Sequence, residues 1–479
     1  MRKMKKILAV LMAVGLLISS LTGCNTPLPG EEKTGKKENA DSSGDNSTSA
    51  DVTQEPASSA ENGTEEHESV TLKVWGDDLR NNEAFYNLVK ETYPWMDIEV
   101  VSADTTKLYS MIAAGTAPDV WILSAFHMGC MFAARGLYEP LDDYIADSEV
   151  FKDYTFSNVQ NMYKFDGERI GSGPTYGIVK DWSIDSQMFI NKKVFEEAGL
   201  TVPDPDTYYT WDDMMSWAKA IKKFDADGKQ TRWSYATTNN MSQQITLQLA
   251  QLGSSLYSED LKSANIDTPE MRKVLEWWKE YITEGGASYG PYSAAPSGFN
   301  GLANEEVGMV MEGYWYSGNL KGMDTAKDHL QDFVMIQTPQ YDTSNPISGC
   351  LAGVGASVYS GSKHKDEAFK LIELYLGGKF GEDRVKSGWG NPSINEFTDF
   401  MPQSTDFDKQ CFAANQKGME SLTALVTNPY VDAGGVESTF SQYFDEYLFD
   451  RISLEDCIKG MQKDYNTMID EGMDIVGVE

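Results

Sequence analysis

The stretch "TTKLYSMIAAGTAPDVWILSA", Thr105 to Ala125, decides the fold class. It reads as a helix, a Gly-Thr-Ala-Pro break, and then the apolar strand "DVWIL". The residues before it show the same alternation. "VTLKVWG", Val70 to Gly76, alternates apolar and polar side chains and stops at glycine, as a strand does. "NNEAFYNLVKETYP" spaces its apolar residues three and four apart and closes at Pro94, which predicts a helix. "MDIEVVSA" is a second strand. Strands alternating with helices predict an α/β layer with a largely parallel sheet. In such sheets a ligand sits beyond the carboxyl ends of the strands, which directs attention to Trp75–Asp78 and Ser124–His127.

The N-terminal residues carry no globular signal. Met1–Lys6 is basic, "ILAVLMAVGLLISS" is a short apolar run, and "LTGC", Leu21 to Cys24, closes it. That order is a secretion signal rather than a membrane span. "LTGC" resembles the bacterial lipobox, which implies removal of residues 1–23 and lipidation of the Cys24 sulfur. Residues 24–69 hold no aromatic residue and much Ser, Thr, Gly, Glu and Asp. They cannot offset their ordering entropy by burial, and predict a disordered tether with a mean reach of roughly 35–40 Å.

The rest of the chain, Val70 to Glu479, has the length of two domains and ample core material, with eleven Trp in the sequence. The formal charge of −33 argues against nucleic acid and against anionic lipid as partners. Cys130, Cys350, Cys411 and Cys457 stand at irregular spacing in apolar or amphipathic surroundings, as buried thiols do. Further along, "TWDDMMSWAKAIKKF" opens with a Thr-x-x-Asp cap and puts Met214, Trp217 and Ile221 on one face. "TPEMRKVLEWWKEYITEGG" opens a helix at Thr268, "DFVMIQTP" is strand-like, and the C-terminal part reads as two helices.

Catalytic and metal signatures are missing. His67, His127, His329 and His364 are scattered without ligand spacing, so neither a metal nor a cofactor is expected. There is no nucleophile elbow, no phosphate loop and no dinucleotide fingerprint. "DADGK", Asp225 to Lys229, is a polar turn rather than a calcium loop. With 73 Asp plus Glu, no pair of carboxylates stands out as an acid and a nucleophile.

Several stretches in register resemble one family. "KLYSMIAAGTAPDVWIL", "GLYEPLDDYI", "YGIVKDWSIDSQMFINKKVFEEAGL", "TWDDMMSWAKAI", "FNGLANEEVGMVMEGYWYSGNL", "SKHKDEAFKLIELYL" and "GWGNPS" are similar, in this order, to the extracellular solute-binding proteins of bacterial ABC importers, in the maltose-binding branch. The resemblance covers essentially all of Val70–Glu479. It implies a periplasmic-binding-protein-like type II fold: two α/β lobes joined by a hinge, with a ligand cleft between them and closure by bending. Lobe 1 is expected to hold 70–176 and 347–395, and lobe 2 to hold 177–346 and 396–479. The crossing is expected at "GSGPTYG", Gly171 to Gly177, and the return at "TPQYDTSNPISG". The implied function is capture of a saccharide for an ABC permease, without catalysis, by a monomer tethered outside the cell. A peptide, polyamine or metal chelate in the same fold, or a tethered carbohydrate-active enzyme, are the alternatives.

A sugar ring offers an apolar face to an aromatic ring and a hydroxyl rim to polar groups. The family places Trp75, Trp182, Trp315 and Trp389 at the cleft, each equally able to be wall or core. Asp77, Asp78, Asp181, Ser183, Glu312, Asn319 and Asn391 are the polar groups near them. Ser124 and Phe126 follow a strand end, Tyr176 lies in the expected crossing, and Gln243 completes the candidate set. Asp119, after Pro118, is a cap before it is a ligand contact. "MEGYWYSGN", Met311 to Asn319, sets three aromatics side by side, which cannot all enter one core. Trp315 is the expected stacking face, with Glu312 near its edge and one tyrosine packed inward. The maltose binder's charged residue after the first strand has no clear counterpart in "WGDDLRNN", and "SAFHMGC" stands where that protein has a Trp-containing loop. An uncharged saccharide is therefore expected, but not maltose itself.

Overall fold

The computed structural model describes residues 67–478, apart from 77–78, 81, 103–104 and 125–128. The expected signal, tether and lipidated Cys24 lie outside the described residues, as do Asp77, Asp78 and Phe126. The described strands are β1 (Val70–Trp75), β2 (Met96–Val101), β3 (Val120–Ser124), β4 (Lys164–Phe165), β5 (Ile170–Thr175), β6 (Ile178–Trp182), β7 (Met188–Asn191), β8 (Lys223–Phe224), β9 (Gln230–Ala236), β10 (Val307–Met311), β11 (Phe333–Ile336), β12 (Val354–Val358) and β13 (Asn391–Pro392). They form a six-stranded sheet ordered β13-β6-β12-β3-β1-β2, a five-stranded sheet ordered β11-β7-β10-β9-β8, and the hairpin β4-β5.

β1 runs parallel to both β2 and β3, as the opening stretch predicts. Asp119 anchors that pairing: its carboxylate accepts from the Lys73 backbone N–H at 2.9 Å and from Ser362 Oγ at 2.7 Å. It caps the amino end of β3, opposite to the end where Ser124 stands. "DVWIL" is buried because Trp121 fills the layer beneath it. Its ring stacks on Tyr359 at 5.4 Å, and its indole N–H donates to Pro118 O at 2.8 Å.

In the second sheet every residue of β7, β10 and β11 is buried, the pattern of strands covered on both faces. The helix Trp211–Ile221 begins with the expected box, Thr210 and Asp213 each accepting from the other's backbone N–H. The helix Pro269–Thr283 buries both Trp277 and Trp278. Cys350, Cys411 and Cys457 are free and buried.

The first passage between sheets differs from expectation. "GSGPTYG" is not the crossing: most of it is β5, which turns back on β4, and β6 after it still belongs to the first sheet. Gly173 serves that hairpin, since its φ is +83° and a Cβ there would lie 2.7 Å from Phe165 O. The chain leaves the first sheet after Trp182 and enters the second at Met188, so residues 183–187 make the passage. It returns through residues 337–353, between β11 and β12. A third passage comes after β13, because the helix Asp406–Met419 packs on β11 through two bonds between Gln410 and the Met335 backbone, 3.0 and 2.7 Å long.

Candidate functional site

β1, β3 and β6 end at Trp75, Ser124 and Trp182, while β9 and β10 of the other sheet end at Ala236 and Met311. Both sets of carboxyl ends converge on the 183–187 passage. The Gln187 carbonyl accepts from the Glu312 and Gly313 N–H groups at 3.2 and 3.1 Å. Asn239 Nδ2 donates to Asp185 O at 3.1 Å and to Met311 O at 3.0 Å. Ser183 Oγ accepts from the Trp315 N–H at 3.0 Å.

The two main passages are tied by one side chain. Asp185 Oδ2 accepts from the Leu351 N–H at 3.0 Å and the Ala352 N–H at 2.9 Å. Burial pushes the Asp185 carboxyl well above the usual range, the two N–H donors pull it back, and Glu312 adds to the rise. Removing the acceptor strands two donors, one of them at a fully buried residue. Asp185→Ala is thus expected to lower stability by about 2–4 kcal/mol and Asp185→Asn by about 1 kcal/mol or less. Denaturant midpoints of the two variants decide this; equal midpoints for Asp185→Ala and the parent chain would dissolve the tie.

The aromatic turn divides its rings. Gly313 makes the turn possible, with φ at +69° and its Cα pressed on the Ile184 carbonyl, where a Cβ would stand 2.4 Å away. Tyr314 and Tyr316 are both buried, and Tyr316 donates its hydroxyl to Phe299 O at 2.8 Å. Trp315 between them stays partly open. Its ring meets Trp389 at 5.5 Å with a tilt of 47° and Phe299 at 6.0 Å. Trp389 is 46% exposed, although indole is among the most apolar surfaces a chain can present. The pair joins the two halves of the fold, since Trp315 comes after β10 and Trp389 precedes β13. Thr238 is exposed and donates to Glu312, three residues before Trp315, and Asn319 in the helix after Trp315 reaches Asn300 at 3.4 Å.

The other candidates take structural positions. Trp75 is core, edge-on to Trp121 at 5.7 Å. Trp182 is core too, its indole N–H on Pro392 O at 3.2 Å. Each belongs to a layer beneath its strand end rather than to an open wall. Glu312 is not at the edge of Trp315: it is wholly buried and both its oxygens accept from Thr238, one from the hydroxyl at 2.6 Å. Burial raises its carboxyl to about 8, with the Thr238 and Thr237 donors opposing. Gln243 is buried, donating to Leu351 O at 2.5 Å and accepting from the Asn240 N–H at 2.8 Å. Asn391 pairs amide to amide with Asn415 at 3.2 and 2.7 Å. Tyr176 is half-buried against the cluster around Trp121. Ser124 keeps a buried hydroxyl without a partner among the described residues.

Lys180 and Arg384, which flank the expected Asp181, escaped the sequence reading of the site. Lys180 is fully buried, and burial lowers its pKa while Asp181 opposes. Asp181 accepts from Lys180 Nζ and from Arg384, both at 3.1 Å, so its charge is balanced. No group of three or more His, Cys, Asp or Glu among the described residues is placed to hold a metal ion. A groove of 890 Å³ runs elsewhere, between residues 158–171 on one side and 255–261 with 419–427 on the other. Its wall shares Val159, Met162, Cys350, Met419 and Leu422 with the cluster around Trp182 and Ile184, and neither Trp315 nor Trp389 lines it.

Two α/β sheets whose carboxyl ends meet at tied passages define a hinged receptor of two lobes, with an aromatic pair where they join. The sequence profile of the bacterial extracellular solute-binding proteins matches residues 76–378, more than half of the chain, and the chain belongs to that family. Solved structures agree on the fold. An ABC substrate-binding protein from Listeria monocytogenes, in complex with cycloalternan, is 19% identical at a TM-score of 0.66, over 86% of this chain and 100% of its own. A solute-binding protein from Thermotoga lettingae, bound with alpha-D-tagatose, is 20% identical at 0.66, over 84% and 100%. The sugar-binding protein MalE from Xanthomonas citri is 17% identical at 0.63, over 86% and 100%. Comparison with curated protein sequences gives no match.

Proposed function

We propose that this protein captures an uncharged saccharide and hands it to the permease of an ABC importer, acting as a monomer and without catalysis. The observation that carries this reading is the half-open Trp315–Trp389 pair at the junction of the two sheets, with hydroxyl and amide groups beside it. An aromatic face with a polar edge matches a pyranose. Relatives of the same fold bind cycloalternan, tagatose and mannobiose. The moving bodies are the two sheets with their helices, flexing at 183–187 and 337–353. The lipid on Cys24 and the tether of residues 24–69 hold them at the outer face of the membrane.

Among the described residues, the charges in place disfavour a polyamine. Asp181 is balanced by Lys180 and Arg384, while burial holds Asp185 and Glu312 towards neutrality. Calorimetric titration against mono- and oligosaccharides, with small-angle scattering, is expected to show one saccharide per chain and a more compact bound state. No heat from any saccharide would end the reading, and hydrolysis of a chromogenic glycoside would replace it with an enzyme. Cys24→Ser is expected to release the protein into the medium; retention in the membrane fraction would remove the lipid anchor.

A further inference from the structure

Trp389 stands in a tight turn, residues 386–390, between the helix Gly378–Val385 and β13. Its footing is unusual for so exposed a ring, because the turn is gripped from both halves of the molecule. On the side of the first sheet, Arg384 donates to Asp181 and to the Lys180 carbonyl, each at 3.1 Å. Gly390 lies against β6 so closely that a Cβ would meet the Trp182 carbonyl at 3.2 Å. On the side of the second sheet, the helix Tyr316–Gly322 lies directly on the turn. Ser317 Oγ reaches Gly388 O at 3.4 Å, and the Cα of Gly318 faces the Gly388–Trp389 peptide. A Cβ on Gly318 would lie 3.0 Å from Gly388 O, 3.1 Å from Gly388 C and 3.3 Å from Trp389 N. These are backbone atoms, which cannot swing aside as a side chain can. The turn itself would have to move.

We infer that Gly318 is the positioning residue for the aromatic pair: by carrying no side chain it seats the helix of Trp315 on the peptide of Trp389 and sets the distance between the two indoles. It touches neither ring face and so acts through Trp389. The same helix supplies an internal control. Gly322, its last residue, has nothing within 4 Å of a built Cβ. Gly318 and Gly322 both have backbone angles that alanine adopts freely, and alanine favours the helix at either place. The two substitutions therefore differ in the contact alone. The inference rests on the proposed function only in taking the pair as a ligand face; the geometry it concerns exists without a ligand.

The test begins on the ligand-free, full chain. Two indoles in contact couple their transitions, and the couplet in circular dichroism is identified as the signal lost in both Trp315→Phe and Trp389→Phe. Gly318→Ala is expected to lose most of that couplet while keeping a cooperative melt, and Gly322→Ala to keep it whole. In a second arm, the saccharide that binds the parent chain is titrated into both variants. Gly318→Ala is expected to bind about tenfold more weakly, a step of about 1.4 kcal/mol, and Gly322→Ala unchanged. An intact couplet in Gly318→Ala overturns the inference. So does a Gly318→Ala chain that fails to fold, since the contact would then hold the fold rather than one ring. If no saccharide binds the parent chain but the couplet behaves as stated, the sugar reading fails and the role of Gly318 stands.

Discussion

Trp315→Ala is expected to cost about 3 kcal/mol of saccharide affinity, a loss of roughly a hundredfold or more, while the fold survives. The size reflects what an indole face supplies: burial of a large apolar area against the sugar's C–H face, together with the oriented attraction of the ring. Survival of the fold reflects the division of labour in "GYWYS". Tyr314 and Tyr316 fill the core on either side, and Tyr316 is further fixed by its bond to Phe299 O. Trp315 is half-buried, with Phe299, Tyr316 and Trp389 against it, so its removal is expected to cost about 1–2 kcal/mol of stability. Tyr316→Ala, in contrast, empties a sealed position and is expected to cost about 3–5 kcal/mol. Calorimetric titration and thermal melts of both variants separate the two effects. If Trp315→Ala melts like Tyr316→Ala and still binds, Trp315 is a core residue and the ligand face lies elsewhere.

Glu312→Gln is expected to make the protein more stable at alkaline pH and no different at acid pH. Burial raises the Glu312 carboxyl from its ordinary value near 4.5 to about 8. The folded chain therefore keeps a proton that the unfolded chain releases between those limits. When the native state binds more protons, stability falls as pH rises, here by up to about 1.4 kcal/mol per pH unit. The contribution is fully present below about pH 4.5 and is lost by the time pH passes 8. Asp185 shifts in the same direction and adds to the slope. Glutamine is the shape of the neutral form: its carbonyl accepts from the Thr238 N–H, and its amide can donate to the hydroxyl after that hydroxyl rotates. Unfolding free energies at pH 5 and pH 8.5 are the measurement. The variant is expected to match the parent at the lower pH and to exceed it by a few kcal/mol at the higher. Parallel behaviour at both would show that Glu312 ionises freely where it stands.

Much of the architecture is legible along the chain because each element carries its own periodicity. "VGMVM" is apolar throughout and becomes a strand buried along its whole length, and "DVWIL", apolar after Asp119, becomes one buried over Val120–Ile122. The Thr210 box marks its helix to the residue. The site is less legible, for identifiable reasons. Glycines and a proline at 171–177 suit a hinge and a hairpin equally, and the pairing of β5 with the neighbouring β4 selects the hairpin. Trp75 and Trp182 end strands as expected, but which way an end residue turns depends on the layer beneath, supplied here by Trp121 and Pro392. Glu312 reads as an exposed carboxylate beside an aromatic turn until Thr238 is seen to cover it. Asp185, in "SIDSQ", has no local signal, since its partners Leu351 and Ala352 are contributed by the other passage. Trp315 and Trp389 are the expected residues that the structure leaves open and brings together.

The strand order of the first sheet has a consequence for how the chain reaches its native state. β12 lies between β3 and β6, pairing Val354 with Ser124 on one side and Asp181 on the other. The centre of that sheet is thus filled by a segment made long after its neighbours. Until residues 354–358 arrive, β3 and β6 have no bridge between them. Contacts so distant in sequence form slowly, because the loop must be ordered before the pairing rewards it. β3 and β6 are therefore joined only once nearly three-quarters of the chain exists. That delay suits a member of an extracellular family, since it leaves time for the polypeptide to be carried across a membrane before folding can trap it.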